Sequence, residues 1–187
     1  MASAQRTKKG ERIIKPKYFV LDVDGVFTDG SFYYTAEGKV MKKYGPDDND
    51  ALSLLKGKLT IQTISGDKRG FPITKKRIDD MKLPLAMVST FERIEWMRQR
   101  FNLEETIFMG DGIYDALVFR AVGYSIAPAN AFYTTKRMAD FVTNARGGEG
   151  AVAEACVHIL EKFFEPFDIN KLTFEHGSGA WDKQENV

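Results

Sequence analysis

With 187 residues, 43% of them hydrophobic and 28% charged, the chain has the make-up of one ordinary globular domain large enough for a sizeable core. Its formal net charge of +1 creates no field that would gather nucleic acid or an anionic membrane surface, so neither is expected as a partner. The single cysteine, Cys156, excludes an intrachain disulfide, and no apolar run reaches the ~18 residues of a membrane span.

The chain opens with a polar, basic stretch that leads into an apolar run too short for a secretory core, which predicts a cytoplasmic protein with a loose arm over residues 1–16. Tyr18-Phe19-Val20-Leu21 is continuously apolar and ends at Asp22, the pattern of a strand buried on both faces. Residues 30–44 instead alternate apolar and polar around Glu37-Gly38, which predicts a β-hairpin inserted after the first strand. Strand-like runs recur at Leu59–Ile64, Leu85–Val88, Thr106–Met109 and Gly123–Ile126. Between them, Arg93-Ile94-Trp96-Met97-Phe101 and Ala116-Leu117-Phe119 carry helical spacing. This rhythm predicts an α/β fold, a Rossmann-like parallel sheet flanked by helices over residues 17–167, without a large cap domain. Cys156 and His158 fall in a final amphipathic helix as packing residues, and residues 168–187 read as a polar, glycine-bearing tail.

Ligands of open parallel sheets bind beyond the carboxyl ends of the strands, so the residues just past each apolar run are informative. The first run ends in Asp22-Val23-Asp24-Gly25, the second in Ser65-Gly66-Asp67-Lys68, and the fourth in Gly110-Asp111-Gly112-Ile113-Tyr114-Asp115. Three strand ends thus bring carboxylates, a hydroxyl and glycines to one rim. Magnesium takes hard oxygen ligands and tolerates waters and phosphate oxygens among them. Asp22 and Asp111, with the main chain near Asp24, form a suitable set, and like charges gathered there without a cation would raise one another's pKa.

Asp22-Val23-Asp24-Gly25-Val26-Phe27-Thr28-Asp29-Gly30 resembles the first motif of the haloacid dehalogenase superfamily. It is most similar to that of the capless phosphatases of 3-deoxy-2-keto sugar acid phosphates, eight-carbon octulosonate 8-phosphate and nine-carbon sialic-acid-type enzymes alike. Ser65-Gly66, Gly110-Asp111 with Asp115, Val122–Ala131 and Gly147-Gly148-Glu149-Gly150-Ala151-Val152 look like the same group. The resemblance implies Asp22 as nucleophile forming an aspartyl-phosphate, and Asp24 as acid and base. It implies Ser65 and Gly66 at the phosphoryl oxygens, Asp22, Asp24 and Asp111 about Mg²⁺, and Asp115 orienting that cluster. It also implies a homotetramer with hairpins meeting at its centre, and a tail (about Gly177 to Trp181) closing a neighbour's site.

The sequence departs from the family at the third motif, normally a lysine. Thr90 falls at that position, Arg93 is one turn later, and Lys68 is a second available cation. Ala153 stands where relatives commonly carry arginine. Asp67-Lys68, Phe132-Tyr133 and Gly147–Gly150 lean towards the nine-carbon branch. Two alternatives stay open: a non-catalytic or regulatory subunit, and a phosphatase of another small phosphate ester.

Overall fold

A computed structural model describes residues 14–172. The expected arm and tail, including His176 and Gly177–Trp181, therefore lie almost wholly outside the described residues. The first strand, β1 (Tyr18–Asp22), is followed by the hairpin β2 (Tyr33–Thr35) and β3 (Gly38–Met41), then α1 (Asp47–Leu52) and β4 (Thr60–Ser65). The chain continues through α2 (Phe71–Asp80), β5 (Leu85–Met87), α3 (Arg93–Arg98), β6 (Thr106–Met109) and α4 (Asp115–Ala121). It ends with β7 (Tyr124–Ala127), α5 (Tyr133–Met138), β8 (Phe141–Val142) and α6 (Ala151–Phe163).

Six strands form one parallel sheet in the order β5-β4-β1-β6-β7-β8. The chain winds from β1 to one edge, then restarts at β6 and winds to the other. The strand order therefore reverses beside β1, the switch point where ligands bind in such sheets. Phe19, Val20 and Leu21 are fully buried because helices cover both faces. Phe19 and Leu21 join a core with α1 and α6 residues such as Leu52, Val152 and Ile159. Val20 points to the opposite core, with Met97, Val118 and Phe119. Period-two alternation along one strand thus feeds two cores.

The hairpin pairs Tyr33–Thr35 with Gly38–Met41 as a separate two-stranded ribbon, and an antiparallel bridge between Thr28 and Tyr44 closes its base. Phe32, Tyr33, Tyr34, Val40 and Met41 on it are all exposed. Among the described residues this ribbon is the whole insertion after β1, and no helix is long and apolar enough to cross a membrane. Cys156 is fully buried in α6. His158 stacks on Phe141 at 3.7 Å between ring centroids and shares a 2.8 Å hydrogen bond with the Tyr124 hydroxyl, so it is a packing residue.

The N-terminus of α6 has Gly150 as its cap, with no side chain to satisfy the first N–H groups. Asp48 on α1 reaches across instead, its Oδ1 accepting from the Ala153 N–H at 3.0 Å. Removing this carboxylate by Asp48→Ala leaves that turn uncapped and is expected to lower stability by ~1 kcal/mol. Urea unfolding measures the effect, and an unchanged midpoint would contradict the capping role.

Candidate active site

The parallel registers decide which side chains meet at the rim. Leu21 pairs with Thr63 on one side and Met109 on the other, so Asp22, Ser65 and Asp111 emerge within about one residue of a common level. The Asp22 Oδ1 accepts from the Val23 N–H at 2.8 Å. Carboxylate oxygens of Asp22, Asp111 and Asp115 all lie within 4.8 Å of one another, close enough to share one ion. Asp24 stands outside this group: its Oδ1 faces the Lys42 Nζ at 2.6 Å and its Oδ2 accepts from the Ser65 hydroxyl at 2.9 Å.

Close backbone approaches make this convergence possible. Gly25 has φ +79°, and a Cβ there would sit 1.9 Å from the Asp111 Oδ2, so the second carboxylate occupies space that only glycine leaves open. Gly147 lies against the same loop, where a Cβ would meet the Gly25 carbonyl oxygen at 2.1 Å. Asn130 locks the two loops together, donating from Nδ2 to the Gly25 carbonyl at 2.9 Å and accepting the Gly147 N–H on Oδ1 at 2.6 Å. The Thr28 hydroxyl accepts the Gly25 N–H at 2.9 Å and closes the turn that carries Asp24.

Three cations with buried side chains balance the acids. Arg93, the first residue of α3, is 4% exposed and places Nη1 2.7 Å from the Asp22 Oδ2 and 2.5 Å from the Asp115 Oδ1. Its Nε is buried with no partner among the described residues. The departure at the third motif therefore leaves a cation in the site. Lys68, the other candidate, is exposed and does not line the cleft. The second buried cation is Lys42, just past β3. It bonds Asp24, the Asp67 Oδ2 at 2.8 Å and the Thr74 Oγ1 at 2.7 Å, while Lys39 Nζ reaches the same Asp67 oxygen at 2.5 Å.

The electrostatics separate two regions. Burial first, and then the charges of Asp115 and Asp24, push Asp22 up to about 7 despite the opposing Arg93. Burial and the charges of Asp22 and Asp115 push Asp111 up to about 8, again against Arg93. One arginine is therefore too little positive charge for these acids, and their all-oxygen donor set suits a hard divalent cation. At the Lys42 side the balance reverses. Burial alone would raise Asp67, but hydrogen bonds from Lys39 and Lys42 outweigh it and hold the carboxyl at about 2. Burial likewise opposes the Lys42 ammonium, and its bonds to Asp24 and Asp67 more than compensate.

A cleft of about 300 Å³ opens over these groups, bordered by Asp22, Asp24, Gly66, Asp67, Thr90, Arg93 and Asp111, with Phe32 from the hairpin at its edge. That volume suits a small polar ligand. The sequence reading missed Lys42, Lys39, Thr74 and Asn130. One signal for Lys42 was available: a hairpin returns to the loop it left, so a lysine at the end of its second strand comes back beside Asp24.

Residues 95–155 match a family model for haloacid dehalogenase-like hydrolases. The 3-deoxy-D-manno-octulosonate 8-phosphate phosphatase of Haemophilus influenzae is 32% identical over 151 residues, which span 78% of this chain and 83% of that protein. The cobalt-bound structure of the octulosonate 8-phosphate phosphatase from H. influenzae superposes with a TM-score of 0.70 at 30% identity, covering 80% of this chain and 90% of that one. The fold is shared with the Moraxella catarrhalis enzyme crystallised with magnesium, phosphate and its sugar acid, at a TM-score of 0.68 and 24% identity over 79% of this chain and 87% of that one. On the match in sequence and in fold, the chain is a phosphatase and belongs to the haloacid dehalogenase-like hydrolases, within the group typified by the 3-deoxy-D-manno-octulosonate 8-phosphate phosphatases.

Proposed function

We propose that the chain is a Mg²⁺-dependent phosphatase of a 3-deoxy-2-keto sugar acid phosphate, with 3-deoxy-D-manno-octulosonate 8-phosphate as the first candidate, acting in the cytoplasm through an aspartyl-phosphate. The observation that carries the reading is the gathering of Asp22, Asp111 and Asp115 around one point beside Asp24 and the buried Arg93. The choice of substrate rests on the resemblance to the H. influenzae phosphatase. The nine-carbon acid phosphate is the second candidate, favoured by Asp67 on the cleft wall.

Asp22 attacks phosphorus, dividing one difficult displacement into two easier ones. Asp24 protonates the departing sugar oxygen and then takes a proton from the water that hydrolyses the aspartyl-phosphate. Arg93 holds Asp22 in place and borders the cleft in which a phosphoryl oxygen would bind. Gly66 on the cleft wall meets the other oxygens, and the Ser65 hydroxyl, buried behind it on the Asp24 Oδ2, reaches them by turning from that carboxylate. Asp22, Asp111 and the main-chain carbonyl of Asp24 would hold the cation, with Asp115 orienting the cluster. When bound, Mg²⁺ neutralises charge on the transferring phosphoryl group. The exposed aromatic residues of the hairpin, Phe32, Tyr33 and Tyr34, support a homotetramer in which hairpins meet.

Phosphate release from the eight- and nine-carbon acid phosphates, with and without Mg²⁺, tests the substrate. Turnover of one of them only with the metal is expected, and Asp22→Asn should reduce it by on the order of 10⁴-fold or more while circular dichroism stays unchanged. Release from neither acid, with activity on another ester, would reject the substrate assignment.

Metal binding has its own signature. The pKa values of Asp22 (about 7) and Asp111 (about 8) lie above the ordinary carboxylate value, so ionising these groups opposes folding. The metal-free protein should therefore lose stability as pH rises through about 8, and Mg²⁺ should restore it. At about a hundred times its dissociation constant the ion contributes ~2.7 kcal/mol, several degrees in Tm for a domain of this size. The Tm gain should be larger at about pH 8.5 than at about pH 6, and Asp111→Asn should abolish it. A gain independent of pH and of Asp111 would contradict this site.

A further inference from the structure

We propose that Lys42 is the positioning residue for proton transfer by Asp24, and that the hairpin delivers it. The proposal rests on the acid–base reading of Asp24 under Proposed function. The side chain of Lys42 is completely inaccessible to solvent, so it does not touch a ligand in the cleft. A lysine ammonium has three N–H donors and no acceptor. Here the three have three partners: the Asp24 Oδ1 at 2.6 Å, the Thr74 Oγ1 at 2.7 Å and the Asp67 Oδ2 at 2.8 Å. A fully saturated ammonium has one orientation, and so does the carboxylate it holds.

Its anchors are themselves fixed. The Asp67 Oδ2 also receives Lys39, and its Oδ1 accepts the Gly70 N–H at 3.1 Å. Thr74 is fully buried in α2. Lys42 therefore clamps one oxygen of Asp24 and leaves Oδ2 as the oxygen that exchanges a proton. In this structure Oδ2 accepts from the hydroxyl of Ser65, the residue that contacts the phosphoryl oxygens in the proposed reaction. When Ser65 turns to the phosphoryl group, Oδ2 is released towards the leaving group.

In the first half-reaction the proton on Oδ2 passes to the ester oxygen as its bond to phosphorus breaks and the bond from Asp22 to phosphorus forms. The negative charge that appears on Asp24 lies against the Lys42 ammonium. In the second, Asp24 takes a proton from water as the water oxygen bonds phosphorus and the Asp22–phosphorus bond breaks.

A positioning role in acid catalysis predicts a dependence on the leaving group. Nitrophenolate departs with little help, whereas phenolate, the weaker leaving group, needs protonation. The value of kcat/KM, which reports the first half-reaction, is measured for phenyl phosphate and 4-nitrophenyl phosphate with the wild type, Asp24→Asn, Lys42→Met and Thr74→Val. General acid catalysis typically contributes ~10²–10⁴-fold. The ratio of phenyl to nitrophenyl kcat/KM should accordingly fall at least about tenfold for Asp24→Asn and Lys42→Met, and about two- to threefold for Thr74→Val. Thr74→Val preserves side-chain shape and decides the matter if Lys42→Met does not fold. A fallen ratio for Asp24→Asn beside unchanged ratios for the Lys42 and Thr74 variants would overturn the role of Lys42 alone. An unchanged ratio for Asp24→Asn would overturn the acid–base reading of Asp24, and the proposal with it.

Discussion

Five carboxylates, those of Asp22, Asp24, Asp67, Asp111 and Asp115, crowd the rim of one sheet, and three cations with buried side chains, Arg93, Lys42 and Lys39, let them stand there. Burying a lone charge is prohibitive, and burying a paired one is tolerable only when its remaining donors and acceptors are matched. Arg93 bridges Asp22 and Asp115, whereas Lys42 bridges Asp24 and Asp67 and Lys39 adds a second positive charge on Asp67. The two aspartates of the first motif thereby enter different electrostatic settings. Asp22 belongs to an under-neutralised cluster that calls for a further cation, while Asp24 belongs to a locally balanced one. That division suits one carboxylate to be a nucleophile beside a metal and the other to exchange a proton.

The scaffold contributes by close approach. Parallel strands in register bring the loops after β1, β4 and β6 to one level, and Gly25 and Gly147 allow backbones and the Asp111 carboxylate to occupy space that a side chain would fill. Asn130 joins the loop after β7 to both. The site is thus held from several strand ends and depends on no single loop for its geometry.

Most of this was legible in the sequence. Apolar runs ending in Asp22, Ser65 and Asp111 identify both the buried parallel strands and the residues at their ends, because a doubly covered sheet needs the former and displays the latter. Other features were not legible. The two-residue strand β8 and the short helices α1 and α5 are too brief to show a period. The pairing of Lys42 with Asp24 joins residues 18 positions apart through a hairpin whose fold-back angle is tertiary information. Arg93 was an open choice beside Lys68, since helix phase alone does not say which cation faces the rim. The structure separates them by burial, Arg93 inside and Lys68 exposed.

The central claim is that the acids closing β1 and following β6 share one divalent ion. Anomalous diffraction from a crystal soaked in Mn²⁺ tests it most directly. The account predicts a single strong peak about 2.0–2.2 Å from carboxylate oxygens of both Asp22 and Asp111. A peak bound to neither residue, or one that persists at full strength in Asp111→Asn, would contradict it.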